Sequence, residues 1–218
     1  MKKVLVTAGS TQTQIDQVRV ISNIFKGTTG TRIAQYFCQQ GAQVKLLTSN
    51  PDLVTYGCKL NHIKYKTFAE LRALMEKEIT RQEYDVIIHS AAVSDYECTG
   101  VMAKDEHNSL VELSAATKVS SEFSELFLRL KPTDKLIDLI REPWGFQGTL
   151  IKFKLQVGIS TEELISIAQK SREHSQADLI VANCLEWARE YAYIISANNW
   201  QKVSRDELAE ELYRRIRT

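Results

Sequence analysis

The chain has 218 residues, 44% of them hydrophobic and 25% charged, a balance that suits one globular domain with a sizeable core. Lys plus Arg number 28 and Asp plus Glu 27, which speaks against a nucleic-acid or membrane-surface binder but leaves room for a local cationic cluster that takes a small polyanion. No stretch reaches the roughly 18 apolar residues of a membrane span, the opening run VLV is too short for a secretory signal, and the scattered Cys38, Cys58, Cys98 and Cys184 form no CxxC, so they read as reduced thiols of a cytoplasmic protein rather than a zinc or disulfide framework.

KVLVTA (3–8) is an apolar, β-branched run that stops at Gly9 and predicts a buried first strand. Ile33, Ala34, Phe37 and Cys38 then recur at helical spacing before Gly41, which predicts a helix over 29–41. QVKLLT (43–48) is a second strand, AELRALMEKEI (69–79) an amphipathic helix and DVIIHSAA (85–92) a third strand. Strand, helix, strand, helix, strand without a hairpin implies parallel pairing through right-handed crossovers. The expected fold class is therefore α/β, Rossmann-like and doubly wound, with a mostly parallel sheet. Residues 97–131 break the pattern. They hold two short strand-like runs, LVELS (110–114) and ELFLRL (125–130), and read as a β-arm or flap, an excursion of the kind that carries function or subunit contacts. TLIKFKL (149–155) resumes the sheet, followed by a helix over 161–174, a strand over 178–183 and AYIISA (192–197) as an edge strand. The closing helix, 205–218, is acidic early and basic late, which matches its dipole. Residues 1–218 thus form one domain with an arm at about 97–131.

Ligands of open parallel sheets bind beyond the C-terminal strand ends. Three unusual loops fall there: 8–23 with GTTG (27–30) just after it, SAAVSDY (90–96) and VANCLEW (181–187). The first contains neither G-x-G-x-x-G nor a P-loop. A helix beginning at Gly27 and Gly30, with Thr28, Thr29 and Lys26 beside it, suits a phosphate; the other reading is a glycine turn that only lets the helix pack.

IDQVRVISN followed by GTTG resembles the segment of phosphopantothenate–cysteine ligases in which I-D-x-V-R precedes an Asn and a Gly-rich phosphate loop. AAVSDY (91–96), IKFKLQV (151–157) and ADLIVAN, ending at Asn183, agree in order and spacing. The likeness runs over nearly the whole chain and is greatest to the stand-alone bacterial form. It implies a ligase of coenzyme A biosynthesis that activates the carboxylate of 4'-phosphopantothenate with CTP or ATP in the presence of Mg²⁺. The acyl-nucleotide so formed then passes its acyl group to the amino group of cysteine. It also implies a homodimer. By the same resemblance Asn23 holds the acyl group and Lys118 serves from the flap. Ser90, Ala91, Asp95, Phe153 and Lys170 contact the nucleotide, and Lys26, Gly27, Thr28 and Gly30 take the substrate's phosphate. Lys131 and Lys154 are further cationic candidates. No protein ligand set for a metal is implied.

Each residue has a plainer reading: Asn23 as a turn cap, Asp95 as a helix cap, Phe153 as core, Lys118 and Lys170 as solvated charges. The chain also departs from the family. Phe25 and Lys26 stand where two hydroxyl residues are usual, His174 where a second lysine is common, and Cys184 where Asp follows the VAN segment. These changes motivate an alternative, a divergent paralogue that binds nucleotide without catalysis. A short-chain NAD(P)-dependent oxidoreductase is a further alternative, but its Tyr-x-x-x-Lys pair is absent, since Gly100 follows Tyr96 at that spacing.

Overall fold

The computed structural model of the chain describes residues 1–55, 60–81, 83–115 and 117–217; Cys58, Ala116 and Thr218 lie outside them. In chain order the elements are β1 (Lys3–Ala8), β2 (Gln12–Gln14), β3 (Val20–Ser22), α1 (Thr28–Gln39), β4 (Gln43–Thr48), β5 (Asn61–Lys64), α2 (Phe68–Ile79), β6 (Val86–His89), β7 (Tyr96–Lys104), β8 (Leu110–Leu113), β9 (Phe127–Pro132), α3 (Leu136–Leu139), β10 (Thr149–Gln156), α4 (Thr161–His174), β11 (Leu179–Cys184), β12 (Tyr191–Ile195), β13 (Trp200–Ser204) and α5 (Leu208–Arg217).

Eight strands form one sheet in the order β13-β12-β11-β10-β6-β1-β4-β5. All pair in parallel from β5 to β11, and β12 and β13 add antiparallel. The parallel strands read as continuous apolar runs because both faces are covered. Val4, Val6, Ile88, Ile151 and Val181 pack under α1 and α5 through Ile33, Phe37, Leu212 and Ile216. Leu5, Leu47, Ile87 and Leu150 pack under α2 and α3 through Leu71, Met75 and Leu136. Ile180 and Ala182 pack under α4 through Leu164 and Ala168. Full capping boxes start α2 at Thr67 and Glu70 and α4 at Ser160 and Glu163, so their first N–H groups are satisfied. No described helix is long and apolar enough to cross a membrane.

From β1 the chain winds outward to β4 and β5; from β6 it winds the other way to β10 and β11. The order therefore reverses between β1 and β6, and the crevice beyond their C-terminal ends is the place where such sheets bind ligands. The arm is a separate three-stranded antiparallel sheet, β8-β7-β9. One expectation is corrected. The strand expected at 192–197 is not an edge, because Trp200–Ser204 pairs outside it. WQKVS is too polar to stand out as a strand, and it is held by pairing and by Trp200 packing edge-on against Tyr193 at 5.5 Å.

Candidate active site

Two glycines let α1 begin against the end of β1. Gly27 has φ 89°, and a Cβ there would lie 2.4 Å from the backbone nitrogen of Gly9. Gly9 has φ 91°, and a Cβ on it would lie 2.1 Å from Ser49 Oγ. Only glycine tolerates both the conformation and the approach. Gly30 closes the same contact against the β6 loop, where a Cβ would lie 2.2 Å from Ser90 Oγ. The first intrahelical bond of α1 runs from Thr31 N to Gly27 O, so the N–H groups of Thr28, Thr29 and Gly30 have no helical acceptor. Gly27 gives no side-chain cap and the first turn holds no acid. That helix end favours an anion.

The 12–22 hairpin, β2 paired with β3, carries Asn23 to the crevice. Its turn is built on Asp16, whose carboxylate accepts from Val18 N and Arg19 N at 2.8 Å and from Arg19 Nε at 2.9 Å. Asp16 also accepts from Val119 N at 3.1 Å, and Arg19 Nη2 donates to Val119 O at 2.8 Å. The Arg19 guanidinium holds the Asp16 carboxyl far below the usual carboxylate range, against the opposing effect of burial. The I-D-x-V-R segment thus grips the residue next to Lys118. Lys118 itself is exposed. Asn23 Nδ2 donates to Ala92 O at 3.1 Å, and so meets the loop that follows β6.

That loop is stitched to β1. Ser90 Oγ donates to Thr7 O at 2.6 Å, Ala91 N to Thr7 Oγ1 at 3.2 Å and Ala92 N to Gly9 O at 2.8 Å. The structure therefore gathers Asn23, Gly27, Thr28, Gly30, Ser90 and Ala91 at the β1–β6 switch point, with exposed Lys26 on the approach. Phe153 is half-buried against the α1-side core. Asp95 is mostly exposed and ion-paired with Lys135. Lys170 stands apart from the group. It is exposed on α4, nine residues past Thr161 and about 13 Å along the axis, and α4 runs back from the strand ends. Its neighbours Ser171 and Ser175 accept instead from Lys152 Nζ at 2.9–3.0 Å. His174 lies 3.4 Å from Asp138. Cys184 is buried, which pushes its thiol up and leaves it unreactive.

Two arginines were not singled out from the sequence, and Asn183 was named there only as the end of a segment, without a role. Asn183, next to last in β11, is a buried polar side chain, on the same sheet face as Val181 and the α1-side core by strand alternation. The signal was its place at the end of an apolar strand. Arg189 and Arg205, on loops after β11 and β13, line a cavity against Thr28 and Thr29; no motif marks them. Among the described residues, no three His, Cys, Asp or Glu side chains gather as a metal site.

The family described as DNA/pantothenate metabolism flavoprotein C-terminal domain matches residues 1–218. The coenzyme A biosynthesis bifunctional protein CoaBC of Thermococcus kodakarensis is 34% identical over 223 residues, covering 99% of this chain and 51% of that protein. Its counterpart in Methanocaldococcus jannaschii is 30% identical over 223 residues, covering 99% and 50%. The chain spans about half the length of these curated relatives. A solved structure, the DNA/pantothenate metabolism flavoprotein from Streptococcus pneumoniae, superposes with a TM-score of 0.84 at 32% identity and covers 100% of this chain and 99% of that one.

Proposed function

The chain belongs to the DNA/pantothenate metabolism flavoprotein C-terminal domain family, and from that premise we propose that it is a phosphopantothenate–cysteine ligase of coenzyme A biosynthesis. The observation that carries the reading is the family match over residues 1–218, the stretch over which the ligase-like segments run in register.

A free carboxylate resists attack by an amine. In the proposed reaction a carboxylate oxygen of 4'-phosphopantothenate attacks the α-phosphorus of CTP or ATP and pyrophosphate leaves. The amino group of cysteine then attacks the acyl carbon, the nucleoside monophosphate departs, and the amine loses a proton. Both steps bring anions or developing negative charge together, so they need fixed donors and cations. Asn23, whose amide already faces the β6 loop, would release Ala92 O and donate to the acyl oxygen. Lys118 would add charge from the flap. The uncapped start of α1, with Gly27, Thr28, Gly30 and Lys26, would hold the substrate's phosphate. Ser90, Ala91, Phe153 and Asn183 would flank the nucleotide, and Asp95 would exchange Lys135 for a nucleotide hydroxyl. Lys170 is left out of this assignment because of its distance along α4. Mg²⁺ commonly binds through substrate phosphates with few protein ligands, and it would enter here on the nucleotide.

Incubation of the protein with 4'-phosphopantothenate, cysteine, Mg²⁺ and either CTP or ATP is expected to yield phosphopantothenoylcysteine and pyrophosphate in equal amounts. Absence of both products with both nucleotides would refute the reading.

A further inference from the structure

A cavity of about 510 Å³ runs along α1 from Thr28 to Gln39, and the assignments above touch it only at Thr28. Arg32 of α1, Arg189 and Arg205 line it, together with Thr28 and Thr29. Arg32 is neutralised by Asp206 at 2.8 Å. Among the described residues, neither Arg189 nor Arg205 has a carboxylate partner. The cavity therefore keeps an excess of positive charge.

This cluster is a product of the fold. β12 and β13 pair antiparallel with Tyr191 opposite Ser204, and Arg205 N donates to Glu190 O at 2.8 Å. The pairing thus puts Arg205 opposite Glu190, the residue after Arg189, and both arginines line the cavity beside α1. Arg205 is half-buried. Its Nη2 donates to Thr29 Oγ1, while its Nη1 is buried with no hydrogen-bond partner among the described residues. Burial, with Arg32 nearby, holds this guanidinium below the ordinary arginine value. A desolvated cation without an anion is unfavourable, and a guanidinium is suited to two-pronged binding of phosphate oxygens.

We propose that this cavity is a phosphate-binding site in which Arg205 and Arg189 supply the positive charge. Its occupant is the phosphate end of a small anion. Two ligands of the ligase reading carry such a group, the phosphate monoester of the acyl substrate and the polyphosphate of the nucleotide, and the proposal rests on that reading only in naming them. The cavity meets the proposed α1 phosphate site at Thr28, and, among the described residues, its unpaired cations come from the last third of the chain.

Titration calorimetry at low salt tests this with inorganic pyrophosphate, CTP, 4'-phosphopantothenate and unphosphorylated pantothenate. The proteins are the wild type, Arg189→Gln and Arg205→Gln. Each substitution should weaken pyrophosphate by about tenfold, the loss expected for one charged hydrogen-bonding group, and leave pantothenate unaffected. Whichever of CTP and 4'-phosphopantothenate loses affinity in parallel identifies the occupant. Arg189 is exposed, so Arg189→Gln decides the matter even if the loss of the Thr29 contact unsettles the Arg205 variant. Unchanged affinity of Arg189→Gln for pyrophosphate, CTP and 4'-phosphopantothenate overturns the proposal. Failure of the ligase reading would look different: no product from the wild type, with the arginine dependence of pyrophosphate binding intact.

Discussion

Asp16 binds donors on its own hairpin and, through Val119 N, a residue of the flap. Asp16→Asn keeps the shape but removes the charge opposite Arg19 and half of the acceptor capacity. Hydrogen exchange at the Val119 amide should then quicken by about tenfold or more, as expected for losing a charged hydrogen bond; an unchanged rate would separate the motif from the flap. The pH dependence follows from the direction of the shift. A depressed carboxyl contributes stability above its unfolded value of about 3.9 and loses it only as pH falls through the lower folded value, so this anchor is fully present at neutral pH. The sequence displayed Asp16 and Arg19 as letters of a motif but hid their work, because their partner lies 103 positions away from Asp16. Asn23, Ser90 and Ala91 were legible through the resemblance and lie together in the fold. Lys170 was named through the resemblance alone, and it is exposed on α4, about 13 Å along the axis from Thr161. Arg189 and Arg205 were invisible because the fold, not sequence spacing, brings both to the lining of one cavity.

At the level of elements, β10 is joined to α4 by a buried cation. Lys152 Nζ donates to Ser171 O, Ser171 Oγ and Ser175 Oγ. Burial holds its ammonium down to about 8, with Asp138 acting the other way and Lys154 adding to the depression. Next to it on β6, His89 is pushed down to about 4, by burial first and Lys152 second, and is neutral at physiological pH. An unfolded lysine keeps its proton up to about pH 10.4, so between about 8 and that value the unfolded chain binds more protons and stability rises with pH. The thermal midpoint of the wild type should therefore gain on that of Lys152→Met between about pH 7.5 and pH 9.5. A constant difference would mean that this ammonium is effectively hydrated. The long elements were readable because burial on both faces writes continuous apolar runs for β1, β4, β6 and β11, and because α1, α2 and α4 carry clear helical periodicity. β7, nine residues of the arm with most positions at least partly exposed, was missed, and so were β2, β3, β5 and β13. The last four are three to five residues long with several exposed positions, so neighbouring strands, not composition, make them strands. The arm was recognised as an excursion for the same reason in reverse: its segments matched neither period of the main sheet.

For the whole molecule, the winding reverses between β1 and β6, and the loops bearing Asn23, Gly27 and Ser90 converge there. The arm projects from that end with both outer strands, β8 and β9, unpaired on one side among the described residues, and with Leu110, Val111, Phe123, Leu126 and Leu130 exposed. Open strand edges with apolar side chains tend to pair. The arm is proposed to pair with a twofold-related copy and to bring Lys118 to a site shared between subunits. Light scattering should give a dimer at micromolar concentration, and a fully active monomer would contradict this. In the proposed chemistry the crevice at the switch point activates a carboxylate by joining it to a nucleotide. The most direct measurement follows an ¹⁸O label placed in the carboxylate of 4'-phosphopantothenate through one turnover with cysteine and CTP or ATP. The oxygen that attacks the α-phosphorus stays there when the amine displaces the nucleotide, so one labelled oxygen should appear in the released nucleoside monophosphate. Product formed with the label absent from the monophosphate, or found in inorganic phosphate instead, would contradict that chemistry.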